Sequence, residues 1–430
     1  MKIMNFAATG DSFVTRRYPK QDMEFQKVKD IIRSAQARFT NLEVTIRDNE
    51  GFPAAQSGGT WATTDPETLK SIKNFGFNLI GTANNHALDY SYGGLEATLK
   101  NLDRYGFVHT GAGVNLAQAG KPVYLDCPSG RVALIAATSS LYDSWIAGEQ
   151  RKDMIGRPGV NPLRITTEYH CKPDEFEALK KIAFLTGINA YDDMIRKEGF
   201  LPKLKEDEFL FGQYSFKKSN FSGVITRPHE KDMDRLMRTV DQATWQSDYV
   251  LVSIHSHQIK GTDKNYPTDF LVTAAKKCID AGAHAVIGHG PHVLRGIEIY
   301  KEKPIFYSLG NFIFQSETVS ALPEDFYEKY GLNHDHHVSD ALRKRSNNGT
   351  VGLMCDPHAM ESIIATWDMI DGKLTELRLT PINLGYNMQP WQNGWPCVTE
   401  REDILERLNE LSKPFDVSIR IQNGTGIIHI

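Results

Sequence analysis

Apolar positions along the chain follow two periods. Short continuous runs predict buried strands: Lys2 or Ile3 to Ala8, Ala37 to Thr40, Phe77 to Thr82, Tyr249 to Ile254, Ala285 to Ile287 and Ile305 to Ser308. Between them the spacing changes to that of helices. One carries Phe25, Val28, Ile31 and Ile32 on a single face. Another opens at Asp65-Pro66, a capping residue followed by a first-turn proline, and carries Leu69, Ile72 and Phe75. A third carries Leu95, Leu99 and Leu102 and stops near Gly106, and a fourth runs from Phe270 to Ile279. Strands alternating with helices predict an α/β layered fold.

Two stretches break this rhythm. Leu141 to Asp241 is charge-rich and reads as a mostly helical insertion. Residues 315–357 are polar, include His334, Asp335, His336 and His337, and read as a long loop or lid. Beyond the lid, Thr366 to Ile382 predicts a hairpin turning at Asp371-Gly372. A helix over Ile404 to Leu411 and a short hairpin at Asn423-Gly424 close the chain. The organisation expected is one main domain over 1–385 and a C-terminal extension over 386–430 packed on the core.

Composition narrows the function classes. Of 430 residues, 40% are hydrophobic and 24% charged, with a net charge of -4, so no nucleic-acid footprint is present. The five cysteines lie far apart with no CxxC pair, which indicates neither a zinc ribbon nor a disulfide framework. No run approaches the ~20 apolar residues that span a bilayer. With a strand at its very start, the chain as given predicts no membrane anchor and a cytoplasmic location.

The chemistry lies in where the polar residues fall. Asp11 follows the first strand, Glu43 the second, Asn85 and His86 the third, His255 the fourth, and His289 and His292 the fifth. In α/β sheets, sites gather where strands end and loops begin. A run such as Asn84-Asn85-His86, with Asp89 beyond, makes poor core and is costly to bury unpaired. Carboxylate, amide and imidazole ligands together suit one or two divalent ions of Mn, Fe or Zn. His257 stands as an additional ligand or a substrate contact. Arg157, Asn161 and Arg164, in a loop rich in Gly and Pro, suit the recognition of a carboxylate or phosphate. Asn311 is a further candidate contact in the cleft.

At these residues the chain resembles the CapA family, the capsule or poly-γ-glutamate synthesis proteins of the calcineurin-like metallophosphoesterase superfamily. The resemblance rests on Gly10-Asp11, Asn41-Leu42-Glu43, the stretch Ala83 to Asp89, Val252 to His255, Gly288-His289-Gly290-Pro291-His292-Val293 and Tyr307 to Phe312. It implies a four-layer αββα sandwich with the helical insertion added to it. It further implies that Asp11 and His292 hold one metal, Glu43 bridges, and Asn85, His255 and His289 hold the second, with His86 as general acid. The motifs also depart from the superfamily pattern. Ser12-Phe13 follow Asp11 where Asp-x-His is usual, Glu43 stands for a bridging Asp, and Gly-His-x-His is longer by one residue.

Two readings follow. One is a metal-dependent hydrolase in which metal-activated water attacks a phosphoester or a glutamyl-type amide of a small or peptide-like anionic substrate. The other is a non-catalytic accessory or binding protein in poly-γ-glutamate or capsule biosynthesis. Homo-oligomer assembly is left open by both.

Overall fold

The computed structural model of the chain describes residues 3–19 and 22–429; Lys2, one expected start of the first strand, lies outside them. Two large mixed sheets carry the architecture. The larger runs, in spatial order, through Arg420–Gln422, Thr425–His429, Lys373–Asn383, Glu361–Ile370, Met4–Phe13, Ala37–Leu42, Leu79–Gly81 and Val108–Thr110. Asn311–Phe314 pairs beside Met4–Phe13, and Cys397–Val398 beside Lys373–Asn383. The smaller sheet runs Leu294–Tyr300, Lys303–Leu309, Ala285–His289, Tyr249–His255, Gly130–Thr138 and Val123–Cys127. The site-bearing strands pair in parallel in both sheets, while antiparallel strands flank them.

The two sheets share one core between them and each has another on its outer face, and the period of two along a strand explains how. In Tyr249–His255, Tyr249 and Leu251 join a core shared with the other sheet, alongside Phe6, Phe39, Leu134 and Trp367. Val250, Val252 and Ile254 point the opposite way, onto Met233, Leu236, Phe270 and Cys278 of two helices. The outer face of the larger sheet packs on Phe25, Val28, Ile32, Leu69, Ile72 and Phe75. Between the sheets, Trp367 stacks on Phe6 with centroids 5.1 Å apart. Truncating either ring to Ala would cost about 3–5 kcal/mol.

Three expectations change. The insertion is not mostly helical. Its helices Pro173–Thr186, Ala190–Lys197 and Glu230–Thr244 accompany a four-stranded sheet of Glu208–Phe211, Tyr214–Lys218, Ile165–Cys171 and Gly223–Pro228. Both faces of that sheet are half exposed, so its charges interleave with aromatics and hide the strand period. The hairpin signal is Phe211-Gly212-Gln213-Tyr214, with Gly212 at φ 58°. Second, Gly130–Thr138 is an unexpected strand of the smaller sheet, between Tyr249–His255, to which it is parallel, and the edge strand Val123–Cys127. Third, the C-terminal extension is integral. Thr425–His429 pairs with Lys373–Asn383, and Ile404, Leu405 and Leu408 sit in the core between the sheets.

The lid over 315–357 contains helices Glu324–Lys329 and Val338–Arg345. Phe326, Ala341 and Leu342 bury against the core of the larger sheet. Among the described residues, no helix is long and apolar enough to cross a membrane.

Candidate metal centre

The parallel strands of both sheets deliver their polar ends to one place. Asp11 comes from Met4–Phe13, which bulges between Ala8 and Asp11. Glu43 and Asn85 follow Ala37–Leu42 and Leu79–Gly81. His255 and His289 are the last residues of their strands, and are paired in register. His292 sits three residues on, held at φ 59°, a left-handed conformation that costs a non-glycine residue about 1–2 kcal/mol. The two sheets meet closely here: a Cβ on Gly10 would lie 1.8 Å from the Gly310 carbonyl oxygen, so only glycine fits.

Two groups of ligand-type atoms form, each with all members within 4.8 Å of one another: Asp11 with His255 and His289, and Glu43 with His257 and His292. The partition differs from the one the resemblance implies. Asp11 Oδ1 lies 3.1 Å from His289 Nδ1 and 3.5 Å from His255 Nδ1, whereas Asp11 Oδ2 is 3.8 Å from His292. Glu43 Oε1 is 3.6 Å from His255 Nε2 and 3.9 Å from His292 Nε2, which joins the two groups. His257 enters the second group, where the motif after Asp11 lacks a histidine. It lies two residues beyond His255, and its ring and its backbone N–H are both fixed on Ser140 Oγ at 2.8 Å.

Most of these imidazoles are anchored through one nitrogen. His289 Nε2 meets Ser253 Oγ at 2.7 Å, and His292 Nδ1 meets Asn311 Oδ1 at 2.8 Å. His86 Nδ1 meets Asp89 Oδ2 at 2.6 Å. Such second partners fix tautomer and ring orientation and leave the other nitrogen for a ligand. Asp11 is likewise held, accepting from Asn41 Nδ2 and from the Gly290 N–H, each at 2.8 Å. The amide of Asn85 donates to the Gly58 carbonyl at 3.2 Å, which leaves Asn85 Oδ1 free of donors.

Glu43 is different. It is fully buried, and neither carboxylate oxygen has a hydrogen-bond partner; Asn85 Oδ1 and His255 Nε2 are buried and unpartnered too. Burial, with Asp11 and Asp89 nearby, pushes the Glu43 carboxyl well above its ordinary value. Burial also raises Asp11, but His289 and His255 outweigh it and hold that carboxyl well below the usual range. Burial lowers His255 to about 4 despite Asp11, and it lowers His257 and His292. These three rings are neutral near pH 7, as metal ligation requires. Three acceptors without donors beside neutral imidazoles fit a divalent cation, since unpaired buried acceptors are costly.

A cleft of about 680 Å³ opens beside Asn85 and His257, walled by Gly58, Ser140, Trp145 and Phe326 of the lid. A Cβ on Gly58 would lie 2.4 Å from Asn85 Nδ2 and 2.7 Å from His86 Cε1, so glycine lets this loop close on the pair.

The structure brings Asp11, Glu43, Asn85, His86, His255, His257, His289, His292 and Asn311 together. It does not bring in the arginine loop. Arg164 donates through Nε and Nη2 to Asp232 at 2.8 and 2.9 Å. Asn161 donates to the Ala136 carbonyl and accepts from Arg235, and Arg157 donates to the carbonyls of Ile146 and Asp143. Asn161 thus ties the insertion to the core strand, while Arg157 and Arg164 bond within the insertion. Sequence reasoning gives Ser253 and Asn41 no role of their own, and it misses Ser140. The signal for Ser253 is a hydroxyl inside an otherwise apolar strand.

A cluster of buried carboxylates and imidazoles at the meeting edge of two sheets defines the class: an α/β protein with a candidate divalent-cation centre. The chain belongs to the bacterial capsule synthesis protein family PGA_cap, whose model matches residues 5–316. An uncharacterized protein of Sinorhizobium fredii is 34% identical, with 98% of this chain and 92% of that protein aligned. The capsule biosynthesis protein CapA of Bacillus anthracis is 26% identical over 68% of this chain and 54% of its own length. The PGA biosynthesis protein CapA of Bacillus subtilis is 25% identical over 82% of this chain and 75% of its own. Among solved structures, a hypothetical protein from Thermus thermophilus aligns over 92% of this chain and 97% of its own, with 11% identity and a TM-score of 0.36.

Proposed function

We propose that the chain is a metal-dependent hydrolase of the metallophosphoesterase type, built as a four-layer sandwich, acting on a phosphoester or a glutamyl-type amide of an anionic substrate. The observation that carries this reading is the donor-free Glu43 carboxylate, buried among neutral imidazoles. Asp11, Glu43, Asn85, His255, His257, His289 and His292 would hold one or two ions of Mn, Fe or Zn. A bound divalent ion acts as a Lewis acid, polarising a substrate oxygen and lowering the pKa of water.

The chain's own groups do the rest. The cleft of about 680 Å³ receives the substrate beside Asn85 and His257, with Phe326 of the lid on its wall. His86 is fixed by Asp89 through Nδ1, so its Nε2 is the atom placed to give a proton to the leaving oxygen or nitrogen. The carboxylate of Asp89 stabilises the ring while it is charged. Removal of such a proton donor lowers the rate by about 10²–10⁴-fold.

A second reading has one observation behind it. A relative from Mycobacterium tuberculosis, 25% identical over 65% of this chain, is named a probable polyglutamine synthesis accessory protein. In that reading the cleft binds without turning over, in capsule or poly-γ-glutamate assembly. Elemental analysis of untagged protein, beside an Asp11→Ala/His255→Ala double variant, separates the outcomes. The hydrolase reading expects one or two equivalents of metal, absent from the variant, and turnover of phosphoester or amide substrates that stops on chelation and in His86→Ala. Metal with no turnover in a broad screen would favour the accessory reading. No metal after reconstitution would overturn the proposed centre.

A further inference from the structure

The insertion carries an amphipathic surface that none of the described residues covers. Helix Pro173–Thr186 uses Phe176 and Ala183 to pack on its sheet, with the Phe176 ring edge-on to Phe209. Phe184 and Leu185, at the end of this helix, stand exposed, and beyond the left-handed Gly187 cap Ile188 is half exposed beside Gly212 of the strand hairpin. A tight turn leads to helix Ala190–Lys197, which buries none of its residues and carries Tyr191 and Met194 one turn apart. Phe200 follows it.

This surface is held in place. Asn189, in the turn between the helices, donates to the Leu210 carbonyl and accepts from the Gly212 N–H at 2.9 Å, which ties the turn to the strand hairpin. Phe184 is 87% exposed, Phe200 80%, Leu185 71% and Tyr191 70%. With Ile188 and Met194, the six expose the equivalent of about four whole side chains. At roughly 150–250 Å² for each such side chain, that is on the order of 600–1,000 Å². A typical monomer's largest apolar patch is about 300–600 Å², and a standard interface buries about 800 Å² per partner.

We propose that this surface is the contact between two copies of the chain, related by a two-fold axis with the Ala190–Lys197 helices antiparallel. Charge argues for a second copy over a membrane. Residues 173–205 hold six acidic and six basic side chains, so nothing there draws the patch to anionic lipid. The short helix is acidic at its start and basic at its end; Asp193 and Arg196 pair with each other at 3.1 Å within it, which leaves Asp192 and Lys197 to face a partner. An antiparallel pair sets each acidic end opposite the partner's basic end, and a two-fold contact must be self-complementary in this way.

The test is sedimentation velocity on the full chain across about 1–100 μM, since interfaces of this size reach μM affinity or better. The wild type is expected to shift from monomer to dimer in this range, and Phe184→Asp/Tyr191→Asp to remain monomeric with an unchanged far-UV CD spectrum. Charge reversals are independent of any folding defect in that variant. Asp192→Lys and Lys197→Glu should each dimerise at least tenfold more weakly alone, and their mixture should recover the dimer. A wild type that stays monomeric at about 100 μM overturns the proposal, whether or not it binds phosphatidylcholine–phosphatidylglycerol vesicles. A dimer indifferent to all three variants overturns it as well.

Discussion

Two carboxylates in this molecule are equally hidden from water and treated in opposite ways. Asp232, at the base of the insertion, accepts four hydrogen bonds: the backbone N–H, Nε and Nη2 of Arg164, and Nη1 of Arg235. Burial raises its pKa, but Arg164 and Arg235 overcome that and leave it below the ordinary value. Glu43 accepts none, and its carboxyl is pushed the other way. Where the fold needs only to stay together, the chain provides its own cations. At Glu43 it provides neutral imidazoles, an arrangement that suits a charge arriving from solution.

The contrast can be broken by experiment. The largest effect is expected from Asp232→Ala, which removes the carboxylate partner of Arg164 and one of the partners of Arg235 and should cost about 3 kcal/mol, the lower end for broken buried pairs. Urea unfolding with chelator and with Mn²⁺ should show the same loss, because no metal is involved. Glu43→Gln should behave in the opposite sense. With chelator it should raise stability by about 1–3 kcal/mol, the cost of an unsatisfied buried group. With metal it should forfeit the gain of about 2.7 kcal/mol that the wild type acquires at a hundredfold excess over Kd. If Glu43→Gln destabilises equally in both conditions, the contrast fails.

A finer effect is expected at Ser253, which only orients His289. Ser253→Ala should weaken metal affinity by about 10–100-fold in a calorimetric titration, with stability under chelator changed by less than about 1 kcal/mol. The smallest effect is in pH. Asp232 has a folded pKa below its unfolded value of about 3.9, so its contribution is complete above that value and is lost as pH falls toward the folded pKa. Comparing unfolding near pH 5 and near pH 3 should show a steeper acid loss for the wild type than for Asp232→Asn, by up to about 1.4 kcal/mol per pH unit.

The same contrast explains what is legible in the sequence. Tyr249–His255 and Ala285–His289 are readable because a buried strand covered on both faces is apolar at nearly every position, so a histidine at its end stands out. Asp11, Glu43 and Asn85 are readable for the same reason. Arg164 is easily misplaced because the cation that binds an anionic substrate and the cation that neutralises a buried Asp look alike. Its partner lies 68 residues away, on a helix face that reads as ordinary surface. The role of His257 stays open in the sequence for a related reason: whether a loop histidine joins a cluster depends on Ser140, which lies 117 residues away beyond the strand Gly130–Thr138, and no local pattern links the two. The insertion sheet, half exposed on both faces, has no period strong enough to read.

The position of Met4–Phe13 has a consequence for the birth of the protein. On one side Ala37–Leu42 follows at once, but on the other Asn311–Phe314, which pairs the end of the strand, and Glu361–Ile370, which pairs its start, lie some 300 and 350 residues downstream. At about 5–20 residues per second, a ribosome leaves that side of the strand open for roughly 20–70 s. An unpaired edge is a template for pairing with the wrong chain. For this protein the hazard is therefore greatest on the ribosome. Slow translation between residues 42 and 361 should lower soluble yield far more than the same delay placed after residue 370, where the strand already has both neighbours.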